Sequence, residues 1–341
     1  MSATAAAPVE VRGLTKHFPA GNGLIRQGRV HAVDDVNFAL RPGTITALVG
    51  ESGSGKSTVA RLIARLFEPT AGHVLFDGAD IANDSRRRDL LHYRSNVQMI
   101  FQDPFGSLNP VKTVRYHLSR PLKIHGRASG DAIDGRVNEL LETVGLVPAE
   151  QYAAKYPHEL SGGQRQRVAI ARALAVEPTV LIADEPTSML DVSIRVGILN
   201  LMLDLKEHKQ LAFLYVTHDL ASARYVSDYM LVMYAGQIVE QGPSESVLQE
   251  ALHPYTRLLL ESVPNPAFAD HERIDVRKGA ASAAIDPPAG CRFADRCPLK
   301  IDVCTQITPE LVLTREGHSA RCHVTAPSPA SREEVHVQST P

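Results

Sequence analysis

Gly50-Glu51-Ser52-Gly53-Ser54-Gly55-Lys56-Ser57 fills every fixed position of the pattern G-x-x-x-x-G-K-S, and the chemistry this pattern supports is capture of a polyphosphate. Phosphate oxygens need many donors at short range. Glycine at 50, 53 and 55 lets successive backbone N–H groups turn toward an anion, because no Cβ intervenes. Lys56 is placed to reach the β- and γ-phosphates, and the Ser57 hydroxyl to ligate magnesium. Glu51, Ser52, Ser54 and Thr58 complete the expected lining for the phosphates. A second feature lies far along the chain, where the apolar run Val180–Ala183 ends on two carboxylates, Asp184 and Glu185. An apolar strand would deliver them at its carboxyl end, the place where open α/β sheets bind ligands.

The elements needed to position these groups are legible around them. Thr44 to Val49 reads as a short buried strand, and Lys56 to Phe67 has helical spacing through Val59, Leu62, Ile63 and Leu66. Strand, glycine loop and helix in that order are the context the motif requires, and the helix start adds unpaired N–H groups facing the anion. Val9–Leu14, Val33–Leu40, Val74–Phe76 and Val97–Phe101 read as further strands, with a polar insert at Gly21–Arg29. From Val111 to about Pro178 strand signals are few, and apolar residues recur at helical spacing in Val137–Val144 and Arg165–Leu174. The runs Val180–Ala183, Ala212–Val216 and Tyr229–Met233 then alternate with helical stretches Val192–His208 and Leu220–Ser227, the pattern of a parallel α/β core.

Leu160-Ser161-Gly162-Gly163-Gln164 stands about a hundred residues after the glycine loop. With that loop it makes the chain resemble the ATP-binding-cassette (ABC) ATPases closely. The resemblance implies a P-loop NTPase fold of the ABC ATPase type. That means a parallel-sheet core, an antiparallel β edge, a helical subdomain inserted at 111–178 and a domain spanning 8–250. It implies that Asp184 holds magnesium, that Glu185 is the general base, and that Lys56 and His218 share in catalysis. Gln102 matches the glutamine that touches magnesium and reports to the membrane subunit. Phe18 matches the residue that stacks on adenine. Ser161, Gly162, Gly163 and Gln164, with Asp191, would act in trans on the nucleotide of a partner ATPase. The commoner sequence before that aspartate has Ala where this chain has Met189.

Beyond residue 250 the chain departs from a bare cassette. His253-Pro254-Tyr255-Thr256, Phe105-Gly106-Ser107-Leu108-Asn109-Pro110 and Tyr156-Pro157-His158 resemble the oligopeptide and dipeptide (nickel) importer ATPases, over about residues 8 to 325. Residues 251–325 then form a C-terminal extension. A Pro-rich linker is expected after Ser262, and residues 326–341 are expected to be a disordered tail rich in Pro, Ser and Glu. All the cysteines fall in this extension: Cys291, Cys297, Cys304 and Cys322, with five, six and seventeen residues between them. Four thiols gathered in a reducing compartment suggest a metal site rather than disulfides, and the gaps exceed those of the usual zinc pairs. In the resembled family this segment implies a [4Fe-4S] cluster, with Zn2+ and free thiols as alternatives and His318 and His323 as substitute ligands.

The bulk composition excludes several classes. A formal net charge of -2 gives no basic field for nucleic acid, and no apolar run reaches the roughly 20 residues of a membrane helix. Met1 to Val9 lacks the basic end and apolar stretch of a signal peptide, so the chain reads as cytoplasmic. The resemblance implies an ATPase peripheral to the cytoplasmic face of the inner membrane. Its partners would be a second, homologous ATPase subunit, two integral-membrane permeases and an extracytoplasmic solute-binding protein. The expected activity is ATP hydrolysis coupled to peptide uptake. The alternatives are import of nickel or another small solute, a soluble non-transport ABC ATPase, and a redox-sensing regulator.

Overall fold

Buried and exposed side chains alternate at the start of β1 (Val9–Pro19), where Val9 and Val11 face inward and Arg12 faces out, until Gly13 at φ +57° breaks the alternation. The structure is a computed structural model that describes residues 6–21, 28–81, 87–261, 285–315 and 317–328. After β1 come β2 (Arg29–Leu40), β3 (Ile45–Val49), α1 (Lys56–Ile63), β4 (Ala71–Phe76) and β5 (Ala79–Asp80). Next are α2 (Arg87–Asn96), β6 (Val97–Ile100) and the single turn α3 (Pro104–Ser107). Four helices follow with no strand between them: α4 (Val114–Ile124), α5 (Ala132–Thr143), α6 (Ala149–Ala154) and α7 (Gly162–Leu174). Then strands return in alternation: β7 (Val180–Asp184), α8 (Val192–Lys209), β8 (Ala212–Thr217), α9 (Leu220–Val226), β9 (Tyr229–Tyr234) and β10 (Gln237–Pro243). The chain ends through α10 (Ser244–Gln249), α11 (Pro254–Glu261), β11 (Val312–Arg315) and β12 (His318–Ala320).

These elements form two compact units, and the chain passes between them more than once: residues 1–10, 39–45 and 75–216 form one, and 11–38, 46–74 and 217–341 the other. In the first unit β6, β7 and β8 run parallel, with Val97 opposite Val180 and Val180 opposite Ala212. Every residue of β7 and of β8 is buried, which is why both read in the sequence as unbroken apolar runs rather than alternating ones. The helical part of this unit is held by apolar stripes, Leu118 and Leu122 on α4, Val137 and Leu141 on α5, and Val168 on α7. It occupies the stretch where the sequence shows helical spacing and few strand signals.

In the second unit β3 runs parallel to β9, with Val49 opposite Val232, and β9 turns back into β10. That hairpin turns through Ala235 (φ +43°) and Gly236 (φ +89°), the two positive-φ positions of a twisted two-residue loop. β12 adds to β10 and β11 to β12, both antiparallel, so strands of the C-terminal extension continue the sheet that carries β3. The sequence shows no signal for these short strands. A second sheet runs β2-β1-β4.

Helix α1 stops at Ile63, short of the expected Phe67. Arg65 turns left-handed (φ +55°), and the Leu66 and Phe67 amides both return to the Arg61 carbonyl, a helix-ending pattern that leaves Leu66 exposed. Within the span expected to be a tail, Ala326 is buried and bridges Cys322, and Ser328 is buried too. The expected linker falls largely on residues 262–284, and the rest of the tail on 329–341, both outside the described residues. No helix among the described residues is long and apolar enough to cross a membrane.

Candidate nucleotide site

The glycine loop sits in the second unit, between the buried strand β3 and the N-terminus of α1. Its glycines are demanded by close neighbours as well as by an anion. A Cβ on Gly50 would lie 2.2 Å from the Met233 carbonyl oxygen, and one on Gly55 2.1 Å from that of Ala32. Gly53 and Gly55 also take positive φ, +80° and +109°, which side chains resist. The Gly236 amide holds the loop from the β9–β10 hairpin by donating to the Ser54 carbonyl at 2.8 Å. Lys56 is buried, and its Nζ donates to the Gly50 and Glu51 carbonyls, each at 2.8 Å. The cation is therefore curled over its own loop, with Ser57 and Thr58 behind it in the first turn of α1. The residues of this unit fit a phosphate group: a left-handed glycine cradle, a lysine over it and a helix N-terminus beneath.

Phe18 is half-buried near the end of β1. Its ring meets Phe67 edge-on at 5.6 Å, and Lys16 Nζ stands 5.2 Å from the ring centre, so part of its surface is already engaged. His218 is exposed just after β8, followed by Asp219, whose carboxylate caps α9 through the Ala221 amide.

In the first unit, β7 ends at Asp184, which is only 3% exposed. Glu185 leaves the strand in the left-handed region, at φ +46°, while its amide still donates to the Val216 carbonyl at 2.8 Å. That turn redirects the side chain from the sheet, and Gln102 Nε2 donates to its Oε2 at 3.0 Å. The sequence places Gln102 and Glu185 in separate roles; the structure brings them into contact.

Ser161 is the N-cap of α7. Its hydroxyl accepts from the Gln164 amide at 3.3 Å, and Gln164 Oε1 accepts from the Ser161 amide at 3.0 Å, a reciprocal capping box. Ser161 is exposed, while Gly163 is buried against Ile194 of α8, whose Cγ2 would stand 2.4 Å from a Cβ. Glycine thus lets α7 approach α8 closely and leaves the capped end at the surface of its unit. Asp191 is also exposed and makes no side-chain cap on α8, and Met189 beside it is 57% exposed.

The cysteines converge in the second unit, without disulfides. Cys304 and Cys322 are buried, Cys291 and Cys297 half-buried. Burial pushes the Cys291 thiol up to about 12 and Cys297 up to about 11; the negative charge of the other cysteines adds to both shifts. Backbone groups of Phe293 and Leu299 hydrogen-bond these two sulfurs and oppose the shift. Sequence reasoning missed two residues that reach the glycine loop from this extension, Tyr255 and Arg296, both bonded to Glu51.

Residues 33–188 match the family model "ABC transporter", and residues 239–304 match "Oligopeptide/dipeptide transporter, C-terminal region". The chain is 44% identical over 321 residues to the oligopeptide transport ATP-binding protein AppF of Bacillus subtilis (strain 168), covering 93% of this chain and 97% of that relative. It is 42% identical over 328 residues to the probable peptide ABC transporter ATP-binding protein y4tS of Sinorhizobium fredii (strain NBRC 101917 / NGR234), covering 95% and 91%. Among solved structures it resembles the ATP-binding cassette MJ0796, a dimeric post-hydrolysis state bound to ADP and Pi. The TM-score is 0.61 at 31% identity, covering 69% of this chain and 98% of that one.

Proposed function

The chain belongs to the ABC transporter family, and from that premise we propose that it is the ATP-hydrolysing subunit of an importer that takes up dipeptides or oligopeptides. The observation that carries this reading is the co-occurrence, in one chain, of a complete glycine cradle, a strand-end carboxylate pair and the peptide-transporter C-terminal region.

In this reading the backbone amides of residues 50–57 and the N-terminus of α1 bind the phosphates, and Phe18 stacks on the adenine. Lys56 leaves its own carbonyls to contact the β- and γ-phosphates. Ser57, Gln102 and Asp184 hold Mg2+, which neutralises phosphate charge when bound. Glu185 takes a proton from the attacking water as the water oxygen bonds to the γ-phosphorus and the bond to the ADP oxygen breaks. His218 holds the γ-phosphate. Ser161, Gly162, Gly163, Gln164 and Asp191 present donors to the nucleotide of a second ATPase subunit, a homologous chain. The exposure of Ser161 and Asp191 supports that role, as does the dimeric form of the MJ0796 relative. Two permeases and a solute-binding protein complete the complex at the inner membrane, where this chain lies on the cytoplasmic face.

Cys291, Cys297, Cys304 and Cys322 hold a [4Fe-4S] cluster. All four are mutually within electrostatic reach, and backbone groups already hydrogen-bond two of the sulfurs, a contact that tunes the potential of a cluster. A single zinc with bonds of about 2.3 Å would draw its sulfurs to about 3.8 Å of one another. The donor group gathered within 4.8 Å among the described residues is His17, His31 and Asp34, which contains no cysteine.

The test is reconstitution with the two permeases in proteoliposomes. Uptake of a labelled peptide that requires ATP and fails with Lys56→Ala supports the reading. ATP hydrolysis indifferent to the permeases, with nickel or no solute carried, removes peptide import.

A further inference from the structure

The motif His253-Pro254-Tyr255-Thr256 and the cysteine segment are the features that nucleotide chemistry leaves unused. Both end on one residue of the glycine loop. The Tyr255 hydroxyl oxygen accepts the Glu51 amide hydrogen at 2.8 Å. The Arg296 guanidinium spans the Glu51 carboxylate, Nη1 to Oε2 at 3.1 Å and Nη2 to Oε1 at 3.0 Å. Arg296 is itself held in place, its guanidinium 5.7 Å from the ring centres of both Tyr234 and Phe293. Those rings meet each other and Tyr255, with centres 4.6 to 5.6 Å apart. In the chain Arg296 immediately precedes Cys297.

A loop that must gather a polyphosphate here carries a carboxylate at its second position. An ionised carboxylate next to bound phosphate repels it, and burial weakens the screening that water and salt would provide. A two-pronged guanidinium cancels that charge and fixes its direction. Arginine suits this task because its planar fork also stacks on aromatic faces, which a lysine does poorly.

We infer that Arg296 and Tyr255 are positioning residues for nucleotide binding. Arg296 neutralises Glu51, and Tyr255 pins the backbone where the loop begins, so the C-terminal extension sets the nucleotide affinity of its own chain. The inference rests on residues 50–57 being the nucleotide loop.

The experiment is a double-mutant cycle on the full-length chain, reading the Kd of a fluorescent ATP analogue. Arg296→Gln is expected to weaken binding about fivefold or more, the range of a well-oriented, partly buried ion pair. In a Glu51→Gln background the same change is expected to cost less than about twofold, because no charge is left to neutralise. Arg296→Lys should recover part of the loss. Equal losses in both backgrounds would mean that Arg296 acts only by packing on Tyr234 and Phe293, and would overturn the inference, as would no loss at all. Should Arg296→Gln alone fail to fold, the Glu51→Gln/Arg296→Gln chain measured against Glu51→Gln decides, since a fivefold loss there is incompatible with neutralisation. Lys56→Ala separates the two levels: if it still binds the analogue, the loop assignment fails, whatever Arg296 does.

Discussion

Gln102 donates its side-chain N–H to Glu185 Oε2 at 3.0 Å, joining the second residue after β6 to the first residue after β7. Both leave neighbouring parallel strands at their carboxyl ends, so the sheet register brings them side by side. If Glu185 is the base, Gln102 holds it in one orientation before water arrives. Glu185→Gln is then expected to lower turnover by about 10²–10⁴-fold, the usual contribution of a general base, while nucleotide binding persists. The same variant should accumulate as a closed dimer with ATP, visible by size-exclusion chromatography. A dimer that dissociates readily at saturating ATP counts against the role of Glu185. Gln102→Ala should lower turnover less than Glu185→Gln.

Lys56 spends its hydrogens on the Gly50 and Glu51 carbonyls, so the loop is already shaped around a cation. Lys56→Ala removes that cation and leaves two carbonyl oxygens facing the cradle. Nucleotide binding measured by calorimetry should fall below detection while the melting temperature changes little, because the lysine serves the ligand more than the fold. Normal turnover in this variant would remove the loop from the mechanism.

How much of this was legible depends on how local each cause is. The glycine loop, β3 and β7 were readable because a buried parallel strand is a continuous apolar run and a phosphate cradle needs a fixed glycine spacing. The capping box at Ser161 and Gln164 is local as well, since both partners lie within one turn. The ties from Tyr255 and Arg296 to Glu51 span 204 and 245 residues, and nothing in the spacing of those side chains announces them. The end of α1 at Ile63 was missed because a left-handed Arg65 carries no glycine to mark it. β11 and β12 were missed because both are short and β12 takes its place by pairing with the distant β10, not through a periodic pattern of its own.

His253 gives the extension a pH dependence. It is fully enclosed, its Nδ1 accepts the Tyr255 amide at 3.1 Å, and burial lowers it from an ordinary 6.5 to about 4. The imidazole is thus neutral in the fold, while the unfolded chain takes up a proton as pH drops below 6.5. The stabilisation is complete above that value and is lost as pH falls from 6.5 toward 4. The loss is up to about 3 kcal/mol at about 1.4 kcal/mol per unit. Urea midpoints between pH 7.5 and 4.5 should show a steeper fall for the parent chain than for His253→Asn, which cannot titrate; parallel slopes would contradict the assignment.

Glu240 anchors the same region. Its carboxylate is completely buried in β10 and accepts the Leu252 and His253 amides, each at 2.8 Å, and shares a 2.8 Å contact with His318 Nε2. Glu240→Ala strands three polar groups in the interior and is expected to cost about 3–5 kcal/mol, as broken buried pairs do. Because Tyr255 and β12 lie on either side of this anchor, limited proteolysis should cut the extension first. Cleavage no faster than in the parent would mean that other contacts hold it.

The cysteine segment makes the last test a chemical one. With Cys291 at about 12 and Cys297 at about 11, these two unloaded thiols stay protonated at neutral pH, because burial and the neighbouring cysteines oppose a thiolate. Only a strongly positive partner reverses that, and its binding must release protons. Protein purified without oxygen should therefore be brown, carry iron and acid-labile sulfide, and lose both on Cys304→Ser, which removes one of the two buried ligands. After chelation the thiols should alkylate more slowly at pH 8 than free cysteine, since the thiolate is the nucleophile. A colourless preparation with stoichiometric zinc would put zinc in place of iron. Fast alkylation of the unloaded protein would show the thiols to be exposed, and the segment would then be no preformed site for either.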